Sequence, residues 1–162
     1  MLLDRMVGAK IYTWSTREYG RLGFDALVQQ LCLHLYDVEG KKVYAIPLGG
    51  SNAIGTWGYV EAVHELKTQL DDAGTQIRLD HVVFACGSGG TAAGISIGLA
   101  LCPMFQPQVH AVAVCDDPAY FYGRVTEIAT EMGFRNDRLG QTTADVVKKS
   151  KVFTKVKGWA MR

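Results

Sequence analysis

Four short segments of the chain carry the apolar patterns of β-strands, with alternation or a short buried-type run. They are residues 10–15, 43–48, 81–86 and 109–115. Helical spacing or a helix-start signal follows each segment. These helices are predicted over residues 24–36, 52–72, 95–102 and 118–133. Strands that alternate with helices are typical of a parallel sheet covered on both faces, so the pattern predicts an α/β fold with three αβα layers.

The predicted sheet lacks the further strands that usually cover the edges of an α/β fold. Natural proteins rarely leave long sheet edges unpaired. We therefore expect the chain to be an incomplete part of a larger fold.

The composition is that of a globular protein. Of 162 residues, 48% are hydrophobic and 20% charged, and the formal net charge is +1. With no basic or acidic run, neither nucleic acid nor an anionic membrane surface is an expected partner. No apolar run reaches the length of a bilayer span, and Asp4 interrupts the start where a signal peptide would stay apolar. Four cysteines without knuckle spacing indicate reduced thiols, hence a cytoplasmic or mitochondrial-matrix location.

The strongest local feature is a glycine-rich turn between the strand at 81–86 and the helix that follows. Its residues are Gly87, Ser88, Gly89, Gly90 and Thr91. Glycines let the backbone approach an anion closely, and the first turn of a helix presents unpaired amides. The hydroxyls of Ser88 and Thr91 add neutral donors. The turn therefore predicts a phosphate-binding site.

The residues alone leave the ligand of this turn open. Gly87, Gly89 and Ala92 also satisfy the G-x-G-x-x-A dinucleotide fingerprint, and Asp116 or Asp117 follows the next strand where a ribose-binding acid would lie. A tight turn without any ligand is the third interpretation. A P-loop is excluded because no Gly-Lys-Ser or Gly-Lys-Thr follows.

A second glycine turn precedes the helix at 52–72. Its residues are Gly49, Gly50, Ser51 and Asn52. They could line a pocket with backbone and side-chain donors. Alternatively, Ser51 or Asn52 simply caps the helix, and Trp57 and Tyr59 pack in the core.

The histidines and two cysteines are weaker candidates. No carboxylate or cysteine stands at ligand spacing from a histidine, so no metal site is predicted. Cys86 and Cys115 lie at the ends of predicted strands and are expected to be buried thiols. The histidines are His34, His64, His81 and His110.

The two glycine turns and the residues on either side of them resemble the motifs of one family. IPLGGSNAIGTWGYVEA and ACGSGGTAAGISIGLAL, at this separation, are similar to the D-cysteine desulfhydrase and 1-aminocyclopropane-1-carboxylate deaminase family. The opening LLDRMVGAKI is similar as well, so the resemblance covers nearly the whole chain. It implies an enzyme of fold type II, the tryptophan synthase β-like fold, that uses pyridoxal 5'-phosphate.

The resemblance also implies a domain layout, an activity and partners. Residues 1–48 would finish a small domain and residues 49–162 would belong to the large cofactor-binding domain. The parent enzyme would be a homodimer acting on a small amino acid. D-cysteine would give pyruvate, sulfide and ammonia, and the cyclopropane amino acid, as the alternative substrate, would give 2-oxobutanoate. A NAD-type dinucleotide-binding domain and a noncatalytic scaffold stay open as further interpretations.

The resemblance also assigns roles to individual residues. The turn after the strand at 81–86 would hold the cofactor phosphate, and the turn before the helix at 52–72 would lie beside the cofactor or substrate. The phosphate residues would be Gly87, Ser88, Gly89, Gly90 and Thr91, and their neighbours Gly49, Gly50, Ser51 and Asn52. The family's Schiff-base lysine and its Ser-Asn-His segment match nothing in this chain. We therefore assign no catalytic residue, and we expect a truncated form with little turnover of its own.

Overall fold

The computed structural model describes residues 2–74, 77–115 and 117–134. The chain divides into two compact units, Met1–Pro47 and Leu48–Arg162. The first unit contains helices α1 (Leu2–Met6), α2 (Thr16–Leu22) and α3 (Phe24–Glu39). The second contains α4 (Ala53–Asp72), β1 (His81–Cys86), α5 (Gly90–Leu101), β2 (Gln108–Ala113) and α6 (Pro118–Glu131). No helix in the described ranges is long and apolar enough to cross a membrane.

The helices of the first unit follow local sequence signals. Ser15 caps α2 in a capping box, because its hydroxyl accepts from the Glu18 amide while the Glu18 carboxylate accepts from the Ser15 amide. Helix α3 ends at Gly40, whose φ of 61° is left-handed. The helix predicted over residues 24–36 is confirmed.

Two of the four predicted strands are wrong. Residues 10–15 and 43–47 form neither helix nor strand, and Leu48–Gly50 forms a 3-10 turn. An alternating pattern becomes a strand only where a neighbouring strand completes its hydrogen bonds. Within the described residues the only ladder joins β1 to β2, so these two segments have no partner there.

The other two predicted strands form a parallel pair. The register runs from His81 opposite Gln108 to Cys86 opposite Ala113. Helix α5 connects them, which makes β1, α5 and β2 a βαβ unit. The predicted α/β fold with a parallel sheet is confirmed, and the described residues contain two strands of it.

Helix α5 lies in the core of the second unit, with most of its residues buried. Helix α6 packs Phe121, Val125 and Ile128 into the same core, at the spacing of one helical face. Helix α4 crosses α5 closely at glycines: a Cβ on Gly98 would lie 2.9 Å from the Val63 Cβ. These contacts hold α4 against α5, and each of the two helices begins directly after one of the two glycine turns.

Candidate phosphate-binding site

The turn before α4 is shaped by consecutive glycines. Gly49 and Gly50 have φ values of 68° and 62°, a region that L side chains rarely adopt. Asn52 then caps α4, since its side-chain oxygen accepts from the Gly55 amide at 2.8 Å. Of the two cap residues that the sequence allowed, Asn52 therefore takes the role and leaves the Ser51 side chain available for another contact.

The turn after β1 opens directly into α5. Gly89 is the N-cap residue in a left-handed conformation, with φ 91°, and has no side chain to cap the helix. Intrahelical bonding starts at Ala93, whose amide donates to the Gly89 carbonyl at 2.9 Å. The amides of Gly90, Thr91 and Ala92 precede that bond, as at any helix start. The Thr91 and Ala92 amides and the helix dipole make this end of α5 suited to an anion.

Ser51 joins the two turns. Its hydroxyl donates to the Ser88 Oγ at 2.6 Å and accepts from the Gly90 amide at 3.1 Å. Ser51 is 2% exposed, so water does not replace these bonds. The hydroxyl thus caps α5 from the other turn, in place of the side chain that Gly89 lacks.

Two of the predicted glycines are required by this close approach. A Cβ on Gly49 would overlap the Ser88 side chain. A Cβ on Gly90 would lie 2.5 Å from the Ser51 Oγ and 3.0 Å from its Cα. Gly49, Ser51, Ser88 and Gly90 are therefore in direct contact, although 37 residues separate Ser51 from Ser88.

The remaining predicted residues form the margins of the site. Gly50 shapes its own turn, because its carbonyl accepts from the Asn52 amide at 3.0 Å. Thr91 is half-buried on the first turn of α5. Gly87 is exposed, and its carbonyl accepts a hydrogen bond from the Cys115 thiol at 3.3 Å.

Cys86 lies under the site as a neutral group. Burial raises the pKa of its thiol to about 11, and the neighbouring Cys115 acts in the same direction. Its side chain is 1% exposed, as expected, whereas the expected burial of Cys115 is wrong, because that residue is exposed. At neutral pH Cys86 places no negative charge beside the amides of α5.

Arg124 is a site residue that the sequence did not predict. Its Nη2 donates to the Ser51 carbonyl at 2.8 Å and its Nη1 to the Glu127 Oε2 at 3.0 Å. No motif surrounds Arg124, and its distance of 73 residues from Ser51 gives no local signal. Only the packing of α6 brings it to the turn.

The acid that the dinucleotide interpretation needs has another role in the described residues. Asp117 caps α6, where its Oδ1 accepts from the Tyr120 amide at 2.9 Å. Asp116 lies outside the described residues. For the turn before α4, the predicted helix cap is confirmed at Asn52. The alternative that Trp57 and Tyr59 pack in the core is wrong, because they are 49% and 41% exposed.

Comparison with known proteins decides the family. A family model described as pyridoxal-phosphate dependent enzyme matches residues 1–158. The chain belongs to this family. The family's cofactor is pyridoxal 5'-phosphate, whose phosphate ester agrees with an anion site at the start of α5.

Individual relatives in this pyridoxal-phosphate dependent family carry two names. The chain is 49% identical over 122 residues to an Arabidopsis thaliana bifunctional D-cysteine desulfhydrase/1-aminocyclopropane-1-carboxylate deaminase, mitochondrial, covering 75% of this chain and 30% of that protein. A D-cysteine desulfhydrase of Klebsiella pneumoniae is 41% identical over 78 residues, 48% of this chain and 22% of that protein.

The comparison with a solved structure agrees with this family for the fold. An ACC deaminase homologue superposes with a TM-score of 0.61 and 32% sequence identity, over 82% of this chain and 39% of that one. The fold is therefore the fold-type II arrangement of this family. The chain spans less than half the length of each of these three proteins.

Proposed function

We propose that this chain provides the cofactor-phosphate site of a pyridoxal-phosphate dependent lyase of the D-cysteine desulfhydrase type. The observation that carries the proposal is the Ser51 hydroxyl, which joins the two glycine turns at the start of α5. The reaction would convert D-cysteine to pyruvate, sulfide and ammonia. The bifunctional name of the Arabidopsis relative and the name of the solved homologue support 1-aminocyclopropane-1-carboxylate as the alternative substrate.

The residues present fit a phosphate ester. The start of α5 offers backbone amides and a positive dipole end, and Gly90 has no room for a Cβ beside Ser51. The hydroxyls of Ser88 and Thr91 add donors that carry no charge. Gly87 lies on the open side, where among the described residues a Cβ would meet only the Val114 Cγ2, at 3.7 Å. A phosphate can therefore reach the backbone from that side.

The phosphate-site residues divide into two roles in this proposal. The first group faces the phosphate and consists of Gly87, Ser88, Gly89, Gly90 and Thr91, although the Gly90 amide itself already donates to the Ser51 hydroxyl. The second group shapes and supports that surface from the neighbouring turn, through Gly49, Gly50, Ser51 and Asn52. Pyridoxal phosphate, once bound, supplies a ring that withdraws electrons from an amino-acid substrate.

No lysine of the described part of the second unit reaches the site. Between Leu48 and Phe134 the sequence has one lysine, Lys67. It lies fourteen residues after Ala53, about 21 Å along α4 at ~1.5 Å per residue. Its ammonium group is paired with Asp71. Within these residues the chain therefore acts by holding the phosphate, and we assign it no catalytic side chain.

The remaining features of the whole protein are part of the same proposal. Residues 1–48 would complete the small domain and residues 49–162 would belong to the large one. The whole enzyme would be a homodimer acting on a small amino acid. Its location would be the cytoplasm or the mitochondrial matrix, and the Arabidopsis relative is named as mitochondrial.

A binding experiment on the 162-residue chain tests the proposal. Pyridoxal phosphate and, separately, inorganic phosphate are titrated while amide hydrogen exchange is followed by mass spectrometry. We expect saturable binding of both, with protection of the peptide that contains Gly87–Thr91. The Gly90→Ala variant should weaken both affinities at least about tenfold, because its Cβ displaces Ser51.

Gly58→Ala is the matched control, because none of the residues that the structure describes comes within 4 Å of a Cβ there. It should bind as the unsubstituted chain does. Binding of NAD that Gly90→Ala abolishes would instead support a dinucleotide domain, and binding of none of the three ligands would support a noncatalytic scaffold. Borohydride reduction that fixes the cofactor on one specific lysine of this chain would overturn the statement that it has no catalytic side chain.

A further inference from the structure

The guanidinium of Arg124 holds the backbone of the turn before α4. Its Nη2 donates to the Ser51 carbonyl at 2.8 Å. Ser51 is 2% exposed, so its carbonyl needs a partner from the protein. A hydrogen bond with a charged donor is stronger than a neutral one. Arg124 therefore fixes the position of Ser51.

The aliphatic part of the same side chain lies against the other turn. A Cβ on Gly89 would be 3.0 Å from the Arg124 Cγ and 3.6 Å from its Cβ. Gly89 is the residue whose left-handed conformation starts α5. One side chain from α6 thus contacts both turns of the proposed phosphate site.

Through its hydroxyl, Ser51 in turn holds the glycine turn before α5, the turn that would meet the phosphate. Its hydroxyl accepts from the Gly90 amide at 3.1 Å and donates to the Ser88 Oγ at 2.6 Å. A shift of the Ser51 backbone would move that hydroxyl away from Gly90 and Ser88. The positions of Gly90 and Ser88 hence depend on the bond between Arg124 and Ser51.

The second contact of Arg124 has a lesser role. Its Nη1 bonds to Glu127, one turn further along α6, and the Glu127 side chain is 64% exposed. An exposed ion pair of this kind contributes little free energy. It does steady the guanidinium beside Ser51, and it offers a control that leaves the Ser51 contact in place.

We infer that Arg124 is a positioning residue for the cofactor phosphate, acting through Ser51 rather than by touching the phosphate. The inference rests on the proposed function for its ligand, but the contact between Arg124 and Ser51 exists without any ligand. Lysine can still donate to the Ser51 carbonyl, whereas methionine keeps the aliphatic packing on Gly89 and loses the donor.

The test compares Arg124→Met, Arg124→Lys and Glu127→Gln in the 162-residue chain. The affinities for inorganic phosphate and pyridoxal phosphate are measured by titration, the fold by circular dichroism, and exchange of the Gly90 amide by NMR without ligand. We expect Arg124→Met to lower both affinities about tenfold and to speed Gly90 exchange. Arg124→Lys should recover most of both, and Glu127→Gln should stay within about twofold.

The outcomes separate this inference from the proposed function. Unchanged affinity and unchanged Gly90 exchange in Arg124→Met would overturn the positioning role. Equal losses in Arg124→Lys and Arg124→Met, both folded, would also overturn it, because restoring the donor would then have no effect. If the unsubstituted chain binds neither ligand, the proposed function fails, and Gly90 exchange across the variants still decides whether Arg124 acts on the turn.

Discussion

The hydrogen-bonding role of the buried Ser51 hydroxyl depends on residues that are distant in the sequence. In the sequence it is one of two residues able to cap α4, and nothing local assigns it elsewhere. In the structure Asn52 takes the cap, and the Ser51 hydroxyl instead accepts from the Gly90 amide of α5. A helix start that has glycine at its N-cap thereby obtains a side-chain acceptor from a distant turn.

Cys86 and Cys115 differ in a way that alkylation can measure. Burial holds the pKa of Cys86 at about 11, so at pH 8 its thiol stays protonated and unreactive. Cys115 is exposed. We expect iodoacetamide at pH 8 to label Cys115 first and Cys86 only after unfolding in urea, as mapped by mass spectrometry. Labelling of Cys86 in the folded chain at the rate of Cys115 would contradict this.

At the scale of elements, the crossing of α4 and α5 depends on glycines one helical turn apart. Gly90, Gly94 and Gly98 lie on the face of α5 that meets α4. At Gly94 a Cβ would lie 2.7 Å from the Thr56 carbonyl and 3.2 Å from the Tyr59 Cα. Small residues at this spacing let two helix backbones approach closely, and the approach brings the two turns together.

Gly94→Ala therefore should destabilise the second unit. The added methyl group forces α4 away from α5, and overpacking of this kind costs about 1–3 kcal/mol. Urea unfolding followed by circular dichroism measures the change. Gly58→Ala, on the exposed side of α4, is the control and should be neutral or stabilising by up to ~1 kcal/mol. A Gly94→Ala chain as stable as that control would show that the helices separate without cost.

The two strands show what the apolar pattern of a segment can and cannot predict. Residues 81–86 form β1 as predicted, because a short apolar run bounded by a glycine turn is a local signal. Residues 10–15 have a similar pattern and form no strand. The register also creates a contact that no sequence spacing indicated, between the His81 Nδ1 and the His110 Nε2 at 2.9 Å.

At the scale of the whole molecule, the two units differ in how much core they contain. Among residues 2–47 only Leu27 is buried, at 3% exposure. In the described part of the second unit, residues of α4, α5, α6 and both strands form one apolar cluster. A segment with little buried apolar surface opens at a lower free energy than one with a continuous core.

Limited proteolysis of the native chain should therefore cleave residues 2–47 before residues 48–134. Leu27→Ala should speed the first cleavages and leave the rate within residues 48–134 unchanged. Phe121→Ala, which removes a fully buried ring from the second unit, should speed cleavage there. Time courses read by mass spectrometry test the order, and simultaneous cleavage of both regions would contradict it.

The sequence by itself determined the parts of this protein that depend on local physics. Helices α3, α4 and α6, both strands and the turn at Gly87 follow from periodicity, caps and glycines, which act over a few residues. Only the tertiary structure decided which turns meet, that Ser51 caps α5 and that Arg124 reaches the Ser51 carbonyl. Those contacts join residues 37 to 73 positions apart. They arise from how helices pack, and no local pattern encodes that packing.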